Sequence, residues 1–274
     1  MKKISSIILL LLCVFVVNAQ NNNQSEKNET RDTKSDPALV KVLQEINDRF
    51  EYMEVKLIEW PNDLHQKLGN LKKVAFMATP IKKPEGKLPL IIALHGAGGK
   101  KMSLEAQLAR SAEVKGLGLA ELTKKDLMLL EPNTASNWEV DALNTMLDYI
   151  LENYPEIDTN RIYVMGHSMG GNGTWDWINE SPERFAAASP SGIPIGDSGD
   201  VDHLVNLPIW GMVGGADKKD RVAGIKRMVE RLKEAGNKQV KYTEFPGANH
   251  AEANAAVFSS VELVDWMLGF SRGK

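Results

Sequence analysis

The sequence predicts an α/β fold with a mostly parallel central sheet flanked by helices. Three observations predict it. Short apolar runs of strand length alternate with helical patterns through most of the chain. Residues 88–94 (LPLIIAL) are apolar at every position, as in a strand covered on both faces. Residues 161–166 (RIYVMG) run directly into a glycine-rich turn and another helical pattern. Composition agrees. Of 274 residues, 43% are hydrophobic and 25% charged, with a net charge of −3, values that exclude a coiled coil, a collagen-like chain, a disulfide scaffold and a fully disordered protein. Lys+Arg number 33 against Asp+Glu 36, so no basic excess exists to hold nucleic acid. One cysteine forbids an internal disulfide or a thiolate-rich metal site, and 5 histidines do not make a His-rich metal protein.

Taken in order, Lys2 and Lys3, an apolar run from Ile7 to Val17 and the small residue Ala19 read as a secretory signal over 1–19, cut after Ala19. Cys13 lies inside the apolar run behind Leu12, where a lipoprotein signal needs a small residue. Cleavage would leave a mature chain without cysteine, which suits an oxidising compartment. Residues 20–36 contain no apolar side chain and read as a disordered polar tether. The folded domain is expected over 37–274.

In that domain, Leu39, Val42, Leu43, Ile46, Phe50 and Met53 recur at helical spacing, which predicts a helix over 37–54. Strands are expected at 74–78, 88–94, 127–130, 161–166, 185–188, 207–213 and 240–245. Helices are expected at 103–114, 138–154, from just after Ser168 to 179, at 221–235 with Gly236 as its stop, and at 257–268. The connection from Ser189 to Asn206 has no long amphipathic segment, so no large cap domain is expected.

Gly166-His167-Ser168-Met169-Gly170 fits G-x-S-x-G at a strand-to-helix turn. Such a turn forces the serine into a strained conformation with its hydroxyl exposed at a strand's carboxyl end. A serine hydroxyl is a poor nucleophile and needs a base, which in turn needs an orienting acid. With chain order Ser, acid, His, the base is His250, in the loop after the strand at 240–245. His203 lies before a strand, at the wrong end. The acid is Asp217, after the strand at 207–213, with Asp220 as runner-up. An oxyanion hole needs two backbone N–H groups. Met169 supplies one; Ala97, with Gly98 second, supplies the other from the turn His95-Gly96-Ala97-Gly98-Gly99. His95 and His167 stand in the wrong chain order for catalysis and read as supporting histidines. Trp138 is a candidate for stacking on a sugar or an aromatic acyl group, against a plainer reading as core.

The segments LPLIIALHGAGG, DTNRIYVMGHSMGGNGTWDW, LPIWGMVGGAD and VKYTEFPGANH resemble the secreted single-domain α/β-hydrolase esterases. These are of predicted-peptidase or phospholipase/carboxylesterase type, related to polyhydroxybutyrate-depolymerase-like and feruloyl/acetylxylan esterases. The resemblance implies the α/β-hydrolase fold and carries Ser168, Asp217 and His250 over as the triad. The HGAGG turn lacks the Glu-Arg that often follows in that family, and Lys218-Lys219 replace an apolar stretch after Asp217. The expected function is a serine carboxylic-ester hydrolase working through an acyl-enzyme on esters of polysaccharides or other bulky alcohols. It is expected to be secreted or periplasmic, without cofactor or metal, and without nucleic-acid or membrane partners after signal cleavage. A serine peptidase of the prolyl-oligopeptidase type is the alternative.

Overall fold

The computed structural model describes residues 36–196 and 199–273. The expected signal at 1–19 and, apart from Asp36, the tether at 20–36 lie outside the described residues. In chain order the strands are β1 (Met53–Glu59), β2 (Val74–Pro80), β3 (Leu88–Leu94), β4 (Met128–Glu131), β5 (Ile157–His167), β6 (Ala187–Ser191), β7 (Ile209–Gly214) and β8 (Val240–Phe245). The helices are α1 (Pro37–Arg49), α2 (Asn62–His65), α3 (Leu104–Val114), α4 (Gly116–Thr123), α5 (Val140–Asn153), α6 (Met169–Glu180), α7 (Lys219–Glu234), α8 (His250–Phe258) and α9 (Val261–Leu268). The strands form one 8-stranded sheet in the order β1-β2-β4-β3-β5-β6-β7-β8. The β1–β2 and β2–β4 pairs are antiparallel and every other pair is parallel. This is the α/β-hydrolase fold.

Strand β3 shows why two apolar faces are needed. Leu90, Ile92 and Leu94 join a core with Leu143 and Met146 of α5, Trp177 of α6 and Ile225 of α7. Ile91 and Ala93 join the opposite core, with Leu39 of α1, Leu108 of α3 and Val264 of α9. Alternate residues of one strand thus serve two cores. Each large side chain so buried is worth about 1.5–3 kcal/mol.

The expected helix over 37–54 is corrected. α1 stops at Arg49, and Met53 begins β1 instead. The reason is tertiary. The Glu121 carboxylate of α4 accepts from the N–H groups of Glu51, Tyr52 and Met53, and the Asn47 side chain brackets Val55 through both its N–H and its carbonyl. The expected single helix at 257–268 is two, α8 and α9, with Ser260 capping the second. Strand β6 starts later than expected, at Ala187. Between β6 and β7 the described residues hold only a one-turn 3-10 segment, Asp202–Leu204. Among the described residues no helix is long and apolar enough to cross a membrane.

Candidate active site

The site is assembled at the carboxyl ends of β3, β5, β7 and β8. Ser168 follows β5 directly and is followed by α6. Its φ of 62° and ψ of −123° place a non-glycine residue in strained backbone, stabilised by its N–H bond to the Ser191 carbonyl at 2.9 Å. Conformations of this kind cost about 1–3 kcal/mol and cluster at functional sites. The flanking glycines are steric requirements: a Cβ on Gly166 would overlap the Gly170 carbonyl, and one on Gly170 would overlap that of Leu94.

Asp217 follows β7, and its carboxylate side chain is 1% exposed. Oδ2 lies 2.5 Å from His250 Nδ1, and a carboxylate can only accept, so the imidazole carries its proton on Nδ1. Oδ1 accepts from the Lys218 N–H at 2.7 Å and the Arg221 guanidinium at 2.9 Å. Burial alone would raise the Asp217 carboxyl. The bonds from His250, the Lys218 N–H and Arg221 more than offset it and hold the group below the usual carboxylate range. Asp220, the runner-up acid, instead opens α7 and accepts from the Arg221 N–H. Arg221 escaped the sequence reading, although its place four residues after Asp217 near a helix start was the available signal.

His250 is the first residue of α8, not part of a loop. Asn249 caps the helix and forms a reciprocal capping box with Glu252. This sets the backbone from which the imidazole reaches Asp217. His203 lies in the 3-10 turn before β7, at the other end of the sheet.

The turn after β3 is a single 3-10 turn, Ala97–Gly99. The Ala97, Gly98 and Met169 N–H groups open this turn and α6, where no intrahelical acceptor exists. His95 sets the turn's orientation. Its Nδ1 lies 2.9 Å from the Gly96 carbonyl, and its Nε2 accepts from the Thr134 N–H at 3.2 Å. Only the neutral Nδ1–H tautomer satisfies both, and burial pulls the group down to about 4. In a trans peptide the N–H points opposite to the C=O. Holding the Gly96 carbonyl toward His95 therefore turns the Ala97 N–H away from that ring.

Trp138 is 6% exposed. Its ring packs on His95 with centroids 4.8 Å apart, and its indole N–H donates to the His95 carbonyl at 3.1 Å. The expectation of a stacking surface is corrected: Trp138 is a buried strut under the turn.

His167 is 1% exposed and lies against His250 with ring centroids 4.5 Å apart. The donor atoms of His167, Asp217 and His250 all fall within 4.8 Å of one another, a spacing a metal ion could use. Asp217 and His250, however, spend their facing atoms on each other.

With this geometry in place, comparison with known proteins is informative. The dienelactone hydrolase family model matches residues 124–261, a span that contains Ser168, Asp217 and His250. The chain belongs to the dienelactone hydrolase family. This member is 34% identical over 102 residues to a Methylorubrum extorquens protein named "Putative carboxymethylenebutenolidase", covering 34% of this chain and 35% of that one. It is 25% identical over 213 residues to an uncharacterized secreted protein of Arthroderma benhamiae, covering 62% of this chain and 22% of that one. The chain thus spans about a third or less of the length of these curated relatives. Among solved structures, a thermostable esterase superposes with a TM-score of 0.64 at 26% identity, covering 81% of this chain and 64% of that one. The α/β-hydrolase esterase type expected from the sequence agrees with these matches.

Proposed function

We propose that this dienelactone hydrolase family member is a serine carboxylic-ester hydrolase. The observation that carries the reading is the short Asp217–His250 bond at the carboxyl end of the sheet that also presents Ser168 on its strained turn. His250, through Nε2, removes the Ser168 hydroxyl proton as Oγ attacks the ester carbonyl carbon. The carbonyl π electrons move onto oxygen, and the N–H groups of Met169 and Ala97, with Gly98 beside them, receive the oxyanion. Each such donor is typically worth ~10²–10³ in rate. Asp217 holds the tautomer and offsets the imidazolium charge. The tetrahedral species collapses, the C–O bond breaks, and His250 returns the proton to the departing alcohol. Water then attacks the acyl-enzyme with His250 as base, releasing the acid and restoring Ser168.

The substrate is an ester borne by a polysaccharide or another bulky alcohol, turned over outside the cytoplasm in a secreted or periplasmic setting. The short β6–β7 connection supports a site open to large substrates. A panel of acetyl, feruloyl, short-chain and peptide substrates tests this reading. Turnover of polysaccharide-borne acetyl or feruloyl esters is expected. Activity on p-nitrophenyl acetate with none on any polysaccharide-borne ester would contradict the substrate class, and faster amide than ester cleavage would favour the peptidase alternative.

A further inference from the structure

Asp217 grips the His250 imidazole at one edge, through Nδ1. A single hydrogen bond at one ring atom leaves the ring free to rock about that contact. A second contact comes from His167, the last residue of β5, whose ring meets that of His250 at a centroid distance of 4.5 Å and an angle of 44°.

His167 is itself clamped. It is 1% exposed, and against it lies Gly192, where a Cβ would overlap the His167 ring atoms Nε2, Cδ2 and Cε1. Gly192 also has a φ of +65°, so glycine is required there twice over. The glycine backbone therefore packs directly on the His167 ring, and any side chain at position 192 would displace it. Its Nε2 is buried with no hydrogen-bond partner among the described residues. Burying an unsatisfied polar atom is unfavourable, and an apolar side chain would avoid that cost if packing were the only requirement. Burial, with the neighbouring His250 charge adding to it, takes the His167 imidazole down to about 3. It stays neutral when His250 takes a proton, so no second imidazolium stands beside it to repel that charge.

We propose that His167 is a positioning residue for the base: its ring, clamped by Gly192, fixes the plane of the His250 imidazole and covers that face while His250 carries the proton. This rests on the reading of His250 as the base in ester hydrolysis. No new covalent step is involved; the proton moves between Ser168, His250 and the leaving alcohol as before.

The test compares full-length wild type with His167→Gln, which removes the ring, and His167→Phe, which keeps a ring without nitrogen. Steady-state kinetics on a p-nitrophenyl ester are read together with the far-downfield proton NMR signal of the His250 Nδ1–H, with melting temperature as a check on folding. For His167→Gln, kcat is expected to fall ~10- to 100-fold at a KM within about twofold, because misplacing a reacting group by about 1 Å can cost ~10²-fold. The downfield signal is expected to broaden by exchange. For His167→Phe, kcat is expected to stay well above the Gln variant and the signal to stay sharp. A Gln variant with unchanged kcat and a sharp signal overturns the proposal. Equal loss in both variants with sharp signals overturns it too, because packing alone would then explain the loss. If the bulkier Phe does not fold against Gly192, the Gln signal decides: sharp contradicts, broadened supports. A parent enzyme that cleaves no ester would sink the ester-hydrolase reading, while the NMR signal would still decide the role of His167.

Discussion

The two ends of the parallel sheet put their polar groups to opposite uses. At the amino ends a groove of about 1410 Å³ is lined by Arg161, His203, Lys238 and Arg272 among others. Its two arginines serve structural pairings: Arg161 donates to Asp158 and the Lys87 carbonyl, and Arg272 to the carbonyls of Glu183 and Thr159, while the buried Arg272 Nε has no hydrogen-bond partner among the described residues. At the carboxyl ends the groups suited to catalysis are gathered instead. Ser168 sits in strained backbone, N–H groups open two helical turns, and His167 keeps a buried nitrogen without a partner among the described residues. What marks the candidate site is the strained backbone of Ser168 beside a paired acid and imidazole, held in place by satisfied neighbours such as His95.

That contrast can be broken by substitutions at either end. The largest effect is expected from Ser168→Ala, which should lower kcat/KM for ester hydrolysis by ~10⁴-fold or more with an unchanged melting temperature. Asp217→Asn should cost about 10³–10⁴ in kcat, because the amide cannot hold the Nδ1–H tautomer in the same way. Arg221→Ala removes one donor from Asp217 and should cost about tenfold in kcat at constant KM, the scale of a single charge-assisted hydrogen bond. At the other end, Arg161→Ala should leave ester turnover within about twofold and stability within ~1 kcal/mol by urea unfolding, as expected of a partly exposed ion pair.

Acid sensitivity sharpens the comparison further. In the folded chain His95 takes a proton only near pH 4 and His167 near pH 3, whereas an unfolded chain protonates histidine near 6.5. Between about pH 6.5 and 4 the unfolded state binds more protons, so stability must fall as pH falls, by ~3 kcal/mol per histidine. Asp217, held below its usual range, adds its own loss only at lower pH. Urea unfolding at pH 7, 5.5 and 4 should show this decline, and His167→Gln should flatten part of it. An unchanged midpoint over that window would contradict the buried neutral state of both rings.

Much of this was legible in the sequence because the deciding signals are local. The fully apolar run of β3 and the glycines around Ser168 each determine their own structure over a few residues. Asp217 and His250 were legible because chain order and strand ends restrict the choices. The rest depended on partners distant in sequence. α1 ends where Glu121 captures N–H groups some 70 residues away. Trp138 is drawn inward by the His95 carbonyl, 43 residues before it. The contact of His167 with His250 exists only once β5 and α8 are brought together. One miss was avoidable: Asn249 followed three residues later by Glu252 is a helix-start signature, and it places His250 on a helix rather than in a loop.

The most direct test of the central claim is peptide mass spectrometry after treatment with a fluorophosphonate, which phosphonylates a serine only when a base activates it. The expected result is a single adduct on Ser168 in the wild-type chain, with none in His250→Gln at the same exposure time. An unmodified wild-type chain, or an adduct on a different residue, would contradict it.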